Sequence, residues 1–142
     1  MQDYHPDDGH YFYGAASIHR AYPLRMSARD LARFALLYLH DGAWAGSRIV
    51  PADWVRESTR AYSAGGSGRG YGYLWWTGTG PEPAEPGLAL PAGSYFALGA
   101  GGQYAIVVPS HDLVVVNRVD RGRNLPEPRF RDVVTLLRLV LA

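Results

Sequence analysis

Residues Tyr95 to Asp120 read YFALGAGGQYAIVVPSHDLVVVNRVD. Two apolar runs, roughly 95–108 and 113–119, flank Pro109-Ser110-His111-Asp112, and the pattern predicts two strands joined by a tight turn. The first run carries Gly99-Ala100-Gly101-Gly102-Gln103 in its body. Glycine weakens a strand, and its usual reason there is close approach of another backbone or of a ligand. The segment is therefore the candidate for one wall of a site.

Upstream, Ser27 is placed as an N-cap, with Asp30 as an acidic variant of the capping box. Leu31, Phe34, Ala35, Tyr38 and Leu39 follow at helical spacing and Gly42 follows as a stop, which predicts a helix over about 28–41. AWAGSRIV, residues 43–50, is a short connection turning at Gly46. Pro51 fits the first turn of a second helix, PADWVRESTR, expected to bury Trp54 and Val55. Tyr62 to Gly70 reads as a Ser/Gly-rich loop and Tyr71 to Trp76, YGYLWW, as an aromatic strand. Alternation puts Tyr71, Tyr73 and Trp75 on one face and Trp76 on the other. Such rings stack on sugars or fill a core. Thr77 to Gly93 is a Pro/Gly-rich loop, the expected mobile segment. Asp120 to Pro128 is a polar turn. Arg129 to Ala142 is a helix presenting Phe130, Val133, Val134, Leu137 and Val140 on one side. Residues 1–25 show no period and read as irregular. The sum is a single α+β domain over 1–142, an antiparallel sheet of about three strands flanked by helices, the last helix covering one sheet face.

Composition excludes several chemistries. Hydrophobic residues make up 47% and charged residues 19%, enough for a packed core. The net charge of +1 gives no electrostatic case for nucleic acid or an acidic membrane. There is no cysteine, so disulfides, thiol catalysis and cysteine-zinc sites are out, and the redox compartment stays open. Every basic residue is arginine, which removes Schiff-base, P-loop and general-base lysines from this chain. No basic-then-apolar leader opens the chain, and the Val133–Ala142 run is too short to span a membrane. Localisation, bacterial cytoplasm or periplasm and beyond, is open.

Lesser constellations read as structure. His5-Pro6-Asp7-Asp8-Gly9-His10 has metal-ligand residue types but no helical spacing to hold them on one face, so no metal or other cofactor is expected. His19 and His40 are surface or helix-end residues, and His111-Asp112 is turn chemistry. Ser58, Ser63, Ser67 and Ser94 are available to a triad, but none sits in a G-x-S-x-G elbow. Gly65 to Gly70 lacks the strand before and helix after that a phosphate loop needs.

Three segments, in order, resemble the C-terminal part of the serine β-lactamase-like family of class C β-lactamases, DD-peptidases and esterases. They are MSARDLARFALLYLHDGAWAGSRIVPADWVRES (Met26–Ser58), GYGYLWW (Gly70–Trp76) and ALGAGGQYAIVVPSHDLVVV (Ala97–Val116). The resemblance implies a partial β-lactamase/transpeptidase-like fold and acyl transfer through a serine. The family's Lys-Thr-Gly or His-x-Gly strand motif falls on Ala100-Gly101-Gly102, with Gln103 as the backbone N–H donor of an oxyanion hole and Leu98, Gly99, Ala100, Gly101 and Gly102 as the substrate-side wall. Ala100 stands where the motif carries Lys or His, so neither a proton relay nor carboxylate recognition is expected from this strand.

The Ser-x-x-Lys motif has no place in a chain without lysine. Tyr11-Phe12-Tyr13 and Tyr22-Pro23-Leu24 lack the partner of a Tyr-x-Asn-like motif. The resemblance thus implies a fragment or truncated product of a serine hydrolase, taking a small acyl substrate only in a full-length form. The other reading is a non-catalytic binding module. Without the N-terminal strands that pair beside it in the family, Leu113 to Val119 is expected to expose an apolar edge, which implies self-association or dependence on the missing N-terminal half.

Overall fold

The computed structural model describes residues 1–78, 87–120, 122–123 and 125–142. Residues 79–86 of the Pro/Gly-rich loop expected over 77–93, and two positions of the polar turn over 120–128, lie outside the described residues.

Helix α1 spans Ala28–Leu39. Ser27 caps it, its Oγ accepting the Asp30 N–H at 3.0 Å. Gly42 closes it at φ 82°, its N–H donating to the Leu37 carbonyl at 2.7 Å. The capping box is only half made. The Asp30 carboxylate turns to the N-terminal segment instead, accepting the Gln2 and Asp3 N–H groups at 2.9 and 2.8 Å. Arg33 Nη1 completes its shell at 2.6 Å. Asp30 is fully buried, so a charge out of water is tolerated because both carboxylate oxygens are hydrogen-bonded, one of them to a guanidinium. Burial alone would raise its pKa; the Gln2 amide, the Arg33 guanidinium and the Asp3 amide outweigh that and hold it at about 2. Asp3 is also lowered, by hydrogen bonds from Ser27 and Arg29.

A folded-state pKa below the unfolded value adds stability that is present above the unfolded pKa and lost as pH falls through the folded one. The thermal midpoint should therefore drop between about pH 4 and pH 2. Asp30→Asn, which removes the buried charge facing Arg33 and leaves that guanidinium Gln2 Oε1 and the more distant Asp3 carboxylate, should lower the midpoint at pH 7 and flatten its decline in that window. A wild-type midpoint level across that range would refute this role for Asp30.

After α1, β1 (Ala43–Trp44) and β2 (Ser47–Arg48) make a small hairpin turning on Ala45 and Gly46, at φ 49° and 80°. Helix α2 (Ala52–Ser58) follows Pro51 and buries Val55. Trp54, expected in the core beside it, is instead 45% exposed and stacked on Tyr73. On a helix of two turns adjacent residues point about 100° apart, so only one of the pair faces inward.

The sheet has six strands rather than about three. They are β3 (Ser63–Gly66), β4 (Arg69–Tyr71), β5 (Trp76–Thr77), β6 (Tyr95–Gly99), β7 (Gln103–Val108) and β8 (Leu113–Asn117), paired antiparallel in chain order. Three turns account for the difference. The Ser/Gly-rich stretch is the β3–β4 hairpin, its Gly66, Ser67 and Gly68 all at positive φ. The aromatic run is two strands with a reversal between them: the Gly72 N–H donates to the Trp75 carbonyl at 2.7 Å, and Leu74 sits at φ 66°. The glycine run of residues 99–103 lies at a hairpin turn, not in a strand body, with Gly99 paired to Gln103 across it.

The reversal also overturns the expected sharing of faces by the aromatic rings. Tyr71 and Trp76 are cross-strand partners in edge contact. Tyr73 stacks between Trp54 and Tyr62 at the surface. Trp75 alone enters the core, against Phe34, Tyr38 and Tyr95.

The central strands are apolar on both faces, and both faces are covered. Tyr95, Ala97, Ala105, Val107, Val114 and Val116 pack toward α1 with Ala35 and Tyr38. The intervening Phe96, Leu98, Ile106, Val108, Leu113 and Val115 pack toward the last helix, α3 (Phe130–Leu141), with Val133 and Leu137. This is the period-2 alternation of a sheet between two layers, and it explains the unbroken apolar runs. Val140, expected on the packed side of α3, is 64% exposed. Leu141, a full turn beyond Leu137, takes the contact in its place. Strand β8 is one of the two outer strands of the sheet, the place expected for Leu113 to Val119 without the N-terminal strands that the resemblance implies beside it.

Candidate active site

Leu98 and Gly99 close β6, Ala100 to Gly102 make the turn, and Gln103 opens β7. The Leu98 side chain packs into the α3-side core, so it offers a surrounding site only backbone. Gly101 and Gly102 hold φ 79° and 75°, where an L side chain is strained. A Cβ on Gly102 would also lie 3.0 Å from Pro128 Cδ and 3.1 Å from Val119 Cγ2. The groups that crowd this glycine are side chains of the chain's own return past β8, not another backbone.

That return is pinned by side-chain amides. Gln103 Nε2 donates to the Gly101 and Val119 carbonyls at 3.1 and 2.9 Å, while its Oε1 accepts the Val119 N–H at 3.2 Å. Asn117 Nδ2 donates to the Gly102 carbonyl at 2.6 Å. Gln103 thus has a side-chain role that its sequence position did not disclose: it pairs with Val119 as one more strand residue would.

The outer side of this turn opens on a groove of about 670 Å³ lined by Ala100, Gln103, Arg25, Arg118 and Asp120 among others. Of the predicted wall it takes only Ala100, with Gln103 beside it, and it brings these to the base of the N-terminal segment and the exit of β8. The N-terminal segment is itself fixed by a bridge between Phe12 and Ala21, and by the Arg25 N–H donating to the Asp8 carbonyl at 2.7 Å. Arg25 and Arg118 had no sequence signal, since nothing short of the fold brings them to one groove. A second groove, of about 350 Å³, lies by Met1, Phe34, Leu37, Trp44 and Ile49. Its one charged side chain, Arg33, is held by Asp30 and Gln2, so nothing there is free to act on a substrate.

The serines weighed for a triad are placed otherwise. Ser58 and Ser94 are buried, each donating to a nearby backbone carbonyl. Ser110 Oγ lies 2.9 Å from His111 Nδ1, but both sit in the exposed turn between β7 and β8, at the far end of β7 from Gln103. His5, Asp7 and Asp8 build a short 3₁₀ turn capped by His5. No cluster able to hold a metal occurs among the described residues, and no helix among them is long and apolar enough to cross a membrane.

An antiparallel sheet between helices, with a glycine turn at its groove, is the architecture of a β-lactamase-like hydrolase domain. The chain belongs to the β-lactamase family, whose model matches residues 4–137. It is 33% identical over 95 residues to an uncharacterised protein of Alkalihalophilus pseudofirmus, a match covering 64% of this chain and 28% of that one. It is also similar to a solved structure from Bacillus anthracis assigned as a 6-aminohexanoate-dimer hydrolase. The TM-score is 0.50 at 25% identity, over 67% of this chain and 23% of that one. The chain thus spans about a quarter of the length of these relatives.

Proposed function

We propose that this chain is the C-terminal part of a β-lactamase-family serine hydrolase that cleaves an ester or amide of a small acyl compound through an acyl-serine. The observation that carries the reading is the family match together with the absence of any lysine. Ser-x-x-Lys chemistry then needs a nucleophile and base from a segment outside these residues. The chain's contribution is the turn wall Leu98, Gly99, Ala100, Gly101 and Gly102, with the Gln103 N–H as oxyanion donor. Such a donor acts through a fixed dipole and needs no side chain. The Gln103 side chain, clamped on Val119, holds that dipole still.

Strand β8 is where the rest of such a hydrolase, or a second copy, pairs. It ends the sheet, carries no charge and no proline, and so lacks the usual protection of an edge. The purified chain is therefore expected to show no turnover of nitrocefin or p-nitrophenyl esters and to sediment as a self-associated species. Turnover abolished by replacing one of its own serines would overturn the division of labour; a clean monomer at high concentration would remove the edge argument.

A second reading has one observation in its favour. Trp54, Tyr73 and Tyr62 form an exposed ladder, with centroid spacings of 5.6 and 5.0 Å and Arg60 5.6 Å from the Tyr62 ring. That surface suits a non-catalytic binding module. An intact mass of the natural protein separates the two: a longer species carrying Ser-x-x-Lys supports the hydrolase, a 15.6 kDa species the module.

A further inference from the structure

The outer face of α2 carries its charges in alternating order. Asp53, Arg56, Glu57 and Arg60 stand at i, i+3, i+4 and i+7, one side of a helix, and all four are exposed. The Arg60 N–H donates to the Glu57 carbonyl at 3.2 Å, which carries the winding past the end of α2. With Tyr62 the four line one groove of about 410 Å³. Arg56 pairs with Asp53, while Glu57 and Arg60 enter no ion pair among the described residues. Beside this row stands the aromatic ridge of Trp54, Tyr73 and Tyr62, ring stacked on ring. Tyr73 is held against α2 by its own N–H, which donates to the Ser58 carbonyl at 2.9 Å. Arg60 lies over the Tyr62 ring and joins the row to the ridge.

Exposed Trp, Tyr and Arg side chains are the usual anchors of protein interfaces. The charge order says which protein fits here. Read backwards, negative-positive-negative-positive becomes positive-negative-positive-negative, so the row is complementary to itself when inverted. A two-fold axis across α2 makes that inversion. It sets Asp53 against Arg60 and Arg56 against Glu57, each contact made twice, as an isologous interface requires. The same rotation lays the ridge of one copy over the groove of the other. We infer that α2 and the Trp54–Tyr73–Tyr62 ridge are the interface of a symmetric homodimer in which the two α2 helices run antiparallel. The ridge draws Tyr73 from the β4–β5 reversal, while β8 is at the other end of the strand order. The contact is therefore separate from edge pairing through β8, and it holds or fails independently of the hydrolase reading.

Charge swaps followed by sedimentation equilibrium over a concentration series test this. Arg56→Glu makes the centre of the row wholly acidic and Glu57→Arg makes it wholly basic, so each variant repels its own copy. Each is expected to weaken self-association at least about tenfold. Mixing the two variants should restore it, because an acidic centre then meets a basic one. The double variant Arg56→Glu/Glu57→Arg should restore it as well, since its row is again complementary to its own inverse. Trp54→Ala should weaken association by a similar factor with every charge intact. Circular dichroism of each variant reports its folding, and recovery on mixing cannot come from two misfolded chains. Single variants as associated as the wild type overturn the inference and place the contact elsewhere, β8 included. Single variants that stay lighter than the wild type when mixed overturn it too. So does a wild-type chain that is monomeric at high concentration, which would leave the ridge to a partner other than a second copy.

Discussion

Gly42→Ala is expected to destabilise the fold by about 2–5 kcal/mol, the sum of two penalties that fall on one position. The first is conformational: Gly42 closes α1 at φ 82°, a region that costs an L side chain about 1–2 kcal/mol. The second is steric. A Cβ there would lie 2.1 Å from the Val50 carbonyl oxygen and 2.9 Å from Val50 Cβ, and such overpacking costs about 1–3 kcal/mol. The obstruction is backbone, so no rotamer change relieves it. Gly42's own carbonyl accepts the Ile49 and Val50 N–H groups at 2.8 and 3.1 Å, so any shift that makes room strains the β1–β2 hairpin. Urea unfolding of wild type and variant measures this. A comparison with Gly46→Ala is instructive: Gly46 also has positive φ, but nothing lies within 4 Å of its Cβ position. Gly46→Ala should therefore show the conformational cost alone. Equal losses at the two positions would remove the steric half of the explanation.

Trp75→Ala is expected to cost about 3–5 kcal/mol, the usual range for truncating a buried aromatic residue. Trp75 is 4% exposed and meets Phe34 at 6.0 Å, Tyr38 at 4.8 Å and Tyr95 at 5.2 Å between ring centroids. It joins α1 to the sheet, so its loss opens a cavity between two layers. Trp54→Ala removes a ring of the same size that is 45% exposed and touches the surface pair of Tyr73 and Tyr62. Its expected cost is under about 1 kcal/mol. Chemical denaturation of the two variants side by side gives the contrast, and a Trp54 loss as large as that of Trp75 would contradict the assignment of core and surface.

Those two tryptophans show where reading along the chain stopped. Period and residue type placed Trp54 and Trp75 alike in apolar stretches. Burial depends on how far a helix face turns and on where a strand reverses. The reversal at Gly72 to Trp75 hangs on Leu74 at positive φ, an unusual conformation for a bulky residue. No composition rule points to Leu74. Gly72 itself needs no Cβ because one would meet the Ser58 and Arg60 carbonyl oxygens at 2.4 and 2.5 Å. That close approach comes from a helix end distant in the chain, so it too was invisible locally.

Strongly periodic elements were legible. Helix α1 was recognised from its cap, its apolar spacing and its closing glycine, all interactions within a few residues. Strands β7 and β8 and the turn between them were legible for the same reason. The family was legible because three segments kept their order along the chain. The missing strands were those of two to four residues, too short to show a period.

The sequence by itself determined that this chain builds a layered α+β domain of the β-lactamase type and that it carries no thiol and no lysine chemistry; residues 98–103 it offered as the expected substrate-side wall. Those conclusions rest on residue type and local spacing, which the linear chain contains. Only the tertiary structure decided that the glycines make a turn and do not interrupt a strand, that the Gln103 side chain locks onto Val119, and that Arg25 and Arg118 share a groove. The physical reason is the same in each case. A turn, a clamp and a groove are made by groups brought together through the packing of α1 and α3 on the two faces of the sheet, and that packing energy is a property of the whole domain, with no signature in any short window of the chain.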